Sequence, residues 1–534
     1  MSMKRAIGRS VVWNAAGLVV EAVTGFLVMP FLIIKLGQAT YGVWIVLGAL
    51  TSYFGLLDLG LRGALGRYVA FHRSSGNQEG VNQTLTVGLT VLTVVGSVVV
   101  TVVVVCEPLF FRLFTVPADE HGAVGLALRL VAVNFALSLL CFAFEAVLWG
   151  FQRFDWLNTI AIPATVLRAV LTFALIGSGG GLVVLALITL GVTVAEGLAK
   201  AVVCFRIDPG LRVGPRHLSR SALRSLLGYG TWALIFLLAR TTRTQLSPLL
   251  IGAQLGTAMV TPYSVAARLL SLVGAAVGAS VGVLTPFATV LHATGQEERQ
   301  RRLFVLGGRY ACALSAFLIA FLLALGGPLI RLWVGPAFAQ SVPLLVVLAL
   351  GELLPATQWA TYSVLNATAR HRSLGVLGIL EVVGVCALAL ALLPVLGLLG
   401  VGVAMAVPAF LARGLGPMVQ GCWVVGVPVR RYLAEAIVPP LLCAAVPAAA
   451  VGLVAEAYPP LTWAWFIGYA AGYAALFAAG YAALFERDRL KRFLRRGDRR
   501  SALPSGSDDG GPGSAEPEPG EGNSGFKSPA GGLG

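Results

Sequence analysis

Residues 84–106 read TLTVGLTVLTVVGSVVVTVVVVC, a stretch with no charged side chain. Strands in globular proteins run about 5–6 residues, and a soluble helix keeps a polar stripe. This stretch fits neither. About 20 apolar residues of helix cross a bilayer, so it reads as a membrane span. Similar stretches recur from Ser10 to Phe485. The whole chain agrees: 534 residues, 57% hydrophobic, 12% charged, mean hydropathy +0.84. A soluble domain carries roughly 25% charged residues. A porin-type barrel would show alternating segments of about 10 residues. Both classes are excluded, and an all-α polytopic membrane protein is expected.

Fourteen spans are expected. The first six lie near 10–34, 41–61, 84–106, 122–149, 157–176 and 181–205. Six more lie near 226–251, 259–290, 304–330, 341–366, 374–394 and 397–420, and the last two near 433–455 and 461–485. Lys and Arg test this count, because cytoplasmic loops retain them. With the N-terminus inside, the inner segments hold 27 of them and the outer loops 3 (Lys35, Arg112, Arg331). A missed span would invert the pattern downstream, so both termini are expected in the cytoplasm. The net charge of +15 then reflects topology and not nucleic-acid binding.

The seven cysteines lie in or at the ends of apolar segments without CxxC spacing, and the five histidines are scattered. Neither pattern makes a metal site. Residues 486–500 form a basic juxtamembrane segment suited to an anionic leaflet. Residues 501–534, rich in Gly, Ser, Pro and acids, should be a disordered cytoplasmic tail. No loop is large enough for a catalytic domain, so a transporter is expected over an enzyme.

A shift of 219 residues places Trp13 on Trp232, Leu36-Gly37 on Leu255-Gly256, and Ala39 on Ala258. That distance equals six spans, and an even-numbered repeat has parallel topology. Two six-helix lobes follow: 1–205 with spans 1–6, and 226–420 with spans 7–12. A basic inter-lobe loop at 206–225 joins them, and spans 13 and 14 occupy 433–485.

Charges inside spans are costly and therefore candidates for function. Arg240 and Arg243 share a helix face, and two guanidinium forks suit a pyrophosphate. The competing reading pairs Arg240 with Glu21, its 219-residue counterpart. Arg129, Arg168 and Arg268 are further cationic candidates. Glu21, Glu352 and Asp58 are candidates for coupling or gating. Glu381 is a less central charge, and Glu145, Glu196, Lys200, Arg309 and Arg413, nearer span ends, read as snorkelling or paired residues.

Ser10…Trp13-Asn14, Leu36-Gly37, Tyr41-Gly42-Val43-Trp44, Tyr53-Phe54-Gly55-Leu56-Leu57-Asp58-Leu59-Gly60-Leu61 and Arg67-Tyr68-Val69-Ala70 resemble the Wzx-type oligosaccharide flippases. Gly150-Phe151-Gln152-Arg153-Phe154 looks like the same pattern. That family belongs to the MOP superfamily, with the MATE antiporters and lipid II flippases. The resemblance implies a MATE-like fold in the bacterial inner membrane. It also implies translocation of an undecaprenyl-pyrophosphate-linked oligosaccharide for O-antigen or exopolysaccharide synthesis. H⁺ or Na⁺ coupling, contact with membrane lipids, and partnership with a polysaccharide polymerase and other assembly proteins would follow. The alternatives are a MATE-type drug/cation antiporter, which would favour acidic and aromatic cavity residues, a lipid II flippase, and a non-transporting membrane scaffold.

Overall fold

A computed structural model describes residues 3–58, 61–228, 231–282, 284–368 and 371–485. Side chains are described from residue 16 onward, apart from 57, 58, 62, 227, 228, 231–237, 239, 240, 371 and 372. The expected basic segment at 486–500 and tail at 501–534 lie outside the described residues. Residues 1–480 form one compact unit.

The described residues form helices and turns with no strand. The first half contains α1 (Met3–Leu36), α2 (Gln38–Phe54), α3 (Leu61–Ser74), α4 (Gln78–Leu113), α5 (His121–Gly150), α6 (Phe154–Leu171) and α7 (Leu182–Ile207). A short helix, α8 (Arg220–Gly228), leads into the second half. That half contains α9 (Thr231–Gln254), α10 (Thr257–Val281), α11 (Leu284–Ala293), α12 (Glu297–Trp333), α13 (Ser341–Thr357), α14 (Trp359–Ala367), α15 (His371–Leu396), α16 (Leu398–Ala409) and α17 (Gly416–Val425). The chain ends its described course with α18 (Val429–Tyr432), α19 (Val438–Ala457) and α20 (Trp463–Phe485).

Twelve described helical segments are long and apolar enough to cross a membrane, against the fourteen expected. The other two expected spans are helical but fall short in different ways. α2 has only 17 residues before the chain tightens into a 3₁₀ turn at Gly55–Asp58. α9 carries Arg240 and Arg243, and its polar run Arg-Thr-Thr-Arg-Thr-Gln dilutes its apolar character. Helix edges also exceed those expected. α4 has 36 residues, ~54 Å at 1.5 Å per residue, so it overshoots the ~30 Å hydrocarbon core. Pro30 and Pro248 both lie inside continuous helices.

The 219-residue echo is carried by local backbone structure. Gly37 and Gly256 precede α2 and α10 with φ of 81° and 87°, a conformation costly for any residue with a Cβ. Gly76 and Gly295, again 219 apart, have φ of 67° and 65°. Each closes the same turn: Asn77 N donates to His72 O at 2.9 Å, and Gln296 N donates to Leu291 O at 3.0 Å. α4 and α12 then start 219 residues apart, at Gln78 and Glu297.

Lipid tails provide no hydrophobic drive between helices, so close packing at small residues does the work. Gly42 of α2 lies against the Thr257 carbonyl of α10, and Gly351 of α13 lies against Ala406 of α16. Within the first half α5 packs on α3, α4 and α7; within the second α12 packs on α10, α13 and α19. α2 packs on both α9 and α10, which joins the halves.

End-to-end contacts sort by the sidedness that the charges suggest. At the Arg-rich ends, Gln78 donates to Asp208 (2.9 Å), Asn82 to Gly210 O (3.2 Å), and His217 meets Glu79 (2.9 Å). At the opposite ends, Thr40 donates to Glu120 (3.1 Å) and Thr257 to Thr115 O (3.2 Å). The Gly150–Phe154 motif is the turn between α5 and α6. Gln152 takes φ 56° there, Arg153 pairs with Asp155 at 3.0 Å, and the Arg73 guanidinium covers Phe151 at 3.7 Å.

Candidate functional site

Among the described residues, the densest ionic cluster lies in the second half and joins four spans. Arg413 sits in a π-turn, Phe410–Leu415, between α16 and α17. Such i→i+5 turns are rare within α-helices and frequent at functional sites. Its Nε donates to Glu381 Oε1 of α15 at 2.7 Å, and its Nη1 donates to Glu352 Oε2 of α13 at 3.1 Å. Its Nη2 donates to the other Glu352 oxygen, which completes a bidentate fork. Tyr362 of α14 donates its hydroxyl to Arg413 O at 3.2 Å.

Arg243 of α9 approaches from the other side, with Nη1 3.9 Å from Glu381 Oε2. Glu381 is 1% exposed, whereas the Arg243 side chain keeps 32% of its surface. At this distance the pair is electrostatic contact without a short hydrogen bond. Arg413 is thus saturated by two carboxylates and Arg243 is only loosely held. Counted from the Arg-poor ends of their helices, Arg243, Glu352, Glu381 and Arg413 lie about eleven to fifteen residues in, ~16–23 Å along the helix. That is near the middle of the bilayer or slightly inward of it.

The first half has its own buried charge group. Lys200 of α7, 5% exposed, sits 2.8 Å from Glu145 of α5 and 2.8 Å from Glu196 on its own helix. Two carboxylates around one ammonium satisfy a charge that would otherwise be untenable there. The sequence allows snorkelling or pairing for these residues, and the structure pairs them. Nearer the outer end, Arg129 forks onto Glu107 of α4, with Nε at 2.7 Å and Nη2 at 3.1 Å. The Arg129 side chain is 55% exposed and is held by Glu107, a partner the sequence reading did not identify.

Arg268 of α10 crosses between the halves. Its guanidinium lies over Gly25 of α1, where any Cβ would collide with it. Both residues stand about eleven positions from the outer ends of their helices. Arg168 of α6 has its Nε buried without a hydrogen-bond partner among the described residues. Glu21 is exposed on α1. Asp58 ends the 3₁₀ turn after α2, and Arg240 stands three residues before Arg243 on α9; the side chains of both lie outside the described residues. The expected Glu21–Arg240 pair falls with them.

The structure therefore gathers Arg243 with Glu352, through Glu381 and Arg413, and leaves Arg129, Arg168 and Arg268 at separate places. The halves meet in a seam at the Arg-poor ends of their helices, the outer ends if the charge bias sets the topology. Gln38 Nε2 donates to Ala258 O at 3.2 Å, and Thr261 Oγ1 donates to Gln38 O at 2.7 Å. Trp333 stacks on Phe26, ring centroids 4.6 Å apart, and donates Nε1 to Phe26 O at 2.8 Å. A cavity of about 1000 Å³ lies elsewhere, between α12, α13 and α19. Small residues such as Ala320, Ala324, Ala448 and Gly452 line it, with Arg331 and Glu456 toward its outer end. None of the cationic candidates lines it.

A family profile described as "Polysaccharide biosynthesis protein" matches residues 73–343. The chain is 21% identical over 413 residues to a Shigella flexneri protein named "Putative O-antigen transporter", which spans 76% of this chain and 96% of that one. Solved structures share the fold. A multidrug-resistance MATE transporter of the MOP superfamily in its inward-facing conformation has TM-score 0.64 at 14% identity, over 77% of this chain and 94% of that one. The lipid II flippase MurJ in an inward closed conformation has TM-score 0.67 at 12% identity, over 90% of this chain and 99% of that one.

Proposed function

The chain belongs to the polysaccharide biosynthesis protein family, and on that premise we propose that it is a flippase for lipid-linked oligosaccharide. Its substrate class is an undecaprenyl-pyrophosphate-linked sugar repeat, moved from the cytoplasmic to the outer leaflet by alternating access of two six-helix halves. The observation that carries the reading is Arg268. A guanidinium from one half lies on a glycine of the other, at mid-bilayer depth. A pyrophosphate oxygen held there would touch both halves at once, which a substrate must do to bias their relative arrangement. Arg243, loosely held by Glu381, is a second cation at similar depth.

The outer seam supports a resting state closed outward and open to the cytoplasm. The inner membrane is the compartment in which such a substrate is made. Cytoplasmic termini follow from the charge bias of the loops. Labelling of single cysteines in whole cells should find Arg216→Cys protected and Asp119→Cys accessible. Accessibility of both from outside would overturn the topology. H⁺ or Na⁺ coupling would draw on a carboxylate. Glu21 is the stronger candidate, because Glu352 is already engaged by Arg413. A polymerase and other assembly proteins would receive the product at the outer face.

The test is complementation of a flippase-deficient strain at matched expression. Arg268→Gln should lower export by at least tenfold. Arg268→Lys should be intermediate, since it keeps the charge and loses the bidentate fork. Arg243→Gln combined with Arg240→Gln should also reduce export strongly. Wild-type export from both the Arg268→Gln and the double variant would sink the cationic-site reading.

A further inference from the structure

The segment between the halves, residues 206–228, carries Arg206, Arg212, Arg216, Arg220 and Arg224. All five are exposed, and among the described residues none has a carboxylate partner. Three arginines at the same ends are matched to carboxylates, whereas Arg73, Arg299 and Arg430 are exposed without one among the described residues; what sets 206–228 apart is five such arginines on one anchored segment. Arg301 and Arg302, at the start of α12, stand 3.9 and 3.5 Å from Glu297 and Glu298 one turn earlier. Arg431 pairs with Glu435 at 2.8 Å. A bias of charge toward the cytoplasm needs only that arginines be present; it does not need them unpaired.

The segment is also built. Gln78 at the start of α4 holds Asp208 at 2.9 Å, and Asp208 in turn accepts from Gly210 N at 3.0 Å. Asn82 grips the backbone twice, donating to Gly210 O at 3.2 Å and accepting from Arg212 N at 2.9 Å. Glu79 meets His217 at 2.9 Å. Leu211 and Leu226 are buried at either end, 4% and 1% exposed. Between these anchors Val213 (45% exposed) and Leu218 (53%) point out among the arginines. α8 continues the pattern, with Arg220 and Arg224 one turn apart and exposed while Leu226 faces inward.

A rigid ledge of unpaired guanidiniums interleaved with outward apolar side chains, at the level where helices leave the bilayer, matches a phospholipid surface. Guanidiniums meet phosphates, and Val213 and Leu218 enter the acyl boundary. We propose that residues 206–228 form a binding surface for anionic phospholipid headgroups of the cytoplasmic leaflet. The surface tethers the connection between the halves to the membrane through the α4 side of the first half. This goes beyond the transport reading and does not depend on which sugar lipid is carried.

The experiment uses the purified full-length chain in detergent micelles, titrated with fluorescent phosphatidylglycerol and, in parallel, phosphatidylcholine. Micelles remove any dependence on sidedness. About 1 kcal/mol per basic side chain corresponds to about fivefold in affinity each. The quadruple variant Arg212→Gln, Arg216→Gln, Arg220→Gln, Arg224→Gln should lose phosphatidylglycerol affinity by more than tenfold and leave phosphatidylcholine unchanged. Arg216→Gln alone should lose about fivefold, which keeps the test open if the quadruple variant is not monodisperse. The control Arg299→Gln, Arg301→Gln, Arg302→Gln removes three inner-face charges elsewhere and should change little. An unaltered phosphatidylglycerol preference in the quadruple variant overturns the proposal. An equal loss in the control also overturns it, because net charge alone would then explain the binding.

Discussion

Replacing Arg413 by glutamine should be among the most damaging single changes in this chain. The variant leaves Glu352 and Glu381 side by side near mid-bilayer, with Arg243, 3.9 Å from Glu381, as the one remaining ion-pair cation among the described residues. Removing one partner of a buried ion pair costs about 3–5 kcal/mol, a large fraction of a stability of about 5–15 kcal/mol. The expected result is a sharp fall in the yield of monodisperse protein and a midpoint of thermal unfolding in detergent lowered by many degrees. Arg413→Lys should fall between, since a single ammonium cannot serve both carboxylates in the geometry of the fork. Neutralising Glu352, Glu381 and Arg413 together (all to Gln) should recover part of the loss, because the two facing carboxylates are gone, while Arg243 is left without Glu381. Wild-type stability in Arg413→Gln would mean that the cluster is better solvated than its burial implies.

Arg413 also marks where sequence reading reached its limit. Membrane spans follow from apolar length, while arginines in alternate loops and Leu-Gly pairs at a fixed offset led to the expectation of alternating sidedness and a six-span repeat. Those signals are one-dimensional, and the backbone carries them faithfully at Gly37/Gly256 and Gly76/Gly295. Which charges meet is a property of rotation about helix axes, and the sequence encodes it poorly. Arg413 reads as a residue near the end of a span; in the structure it lies in the π-turn at 410–415 and meets Glu352 of α13 and Glu381 of α15. Glu107 falls one residue beyond the span expected at 84–106, so apolar length does not flag it as an intramembrane charge. It belongs to a helix that continues to Leu113, and it holds Arg129. Arg240 and Arg243 share a helix face by spacing alone, yet the partner of Arg243 comes from α15, more than a hundred residues on. The extra length of α4 and the shortness of α2 have the same origin: composition fixes the apolar middle of a helix, and packing fixes its ends.

Linking α2 to α10 across the outer seam should stop export completely. Three hydrogen bonds tie the first half to α10 there: Gln38 to Ala258 O, Thr261 to Gln38 O, and Thr257 to Thr115 O. Each such bond contributes about 0.6 kcal/mol within a membrane protein. Together they come to roughly 2 kcal/mol, a bias of about thirtyfold between two states, which substrate binding can overcome. A covalent link cannot be overcome in this way. With Cys106, the exposed native cysteine, replaced by serine, Gln38→Cys and Ala258→Cys can be joined by a short, reducible bifunctional thiol reagent. Export should fall to background in proportion to the fraction linked, and reduction should restore it. Either single cysteine treated with the same reagent should export normally, which separates locking from mere modification of the seam. Loosening the seam instead, with Thr261→Val and Gln38→Leu, should leave the protein folded and raise the accessibility of the seam to thiol reagents applied from outside. Full export by the fully linked protein would show that the halves do not part at this face, and the alternating-access reading would have to be abandoned.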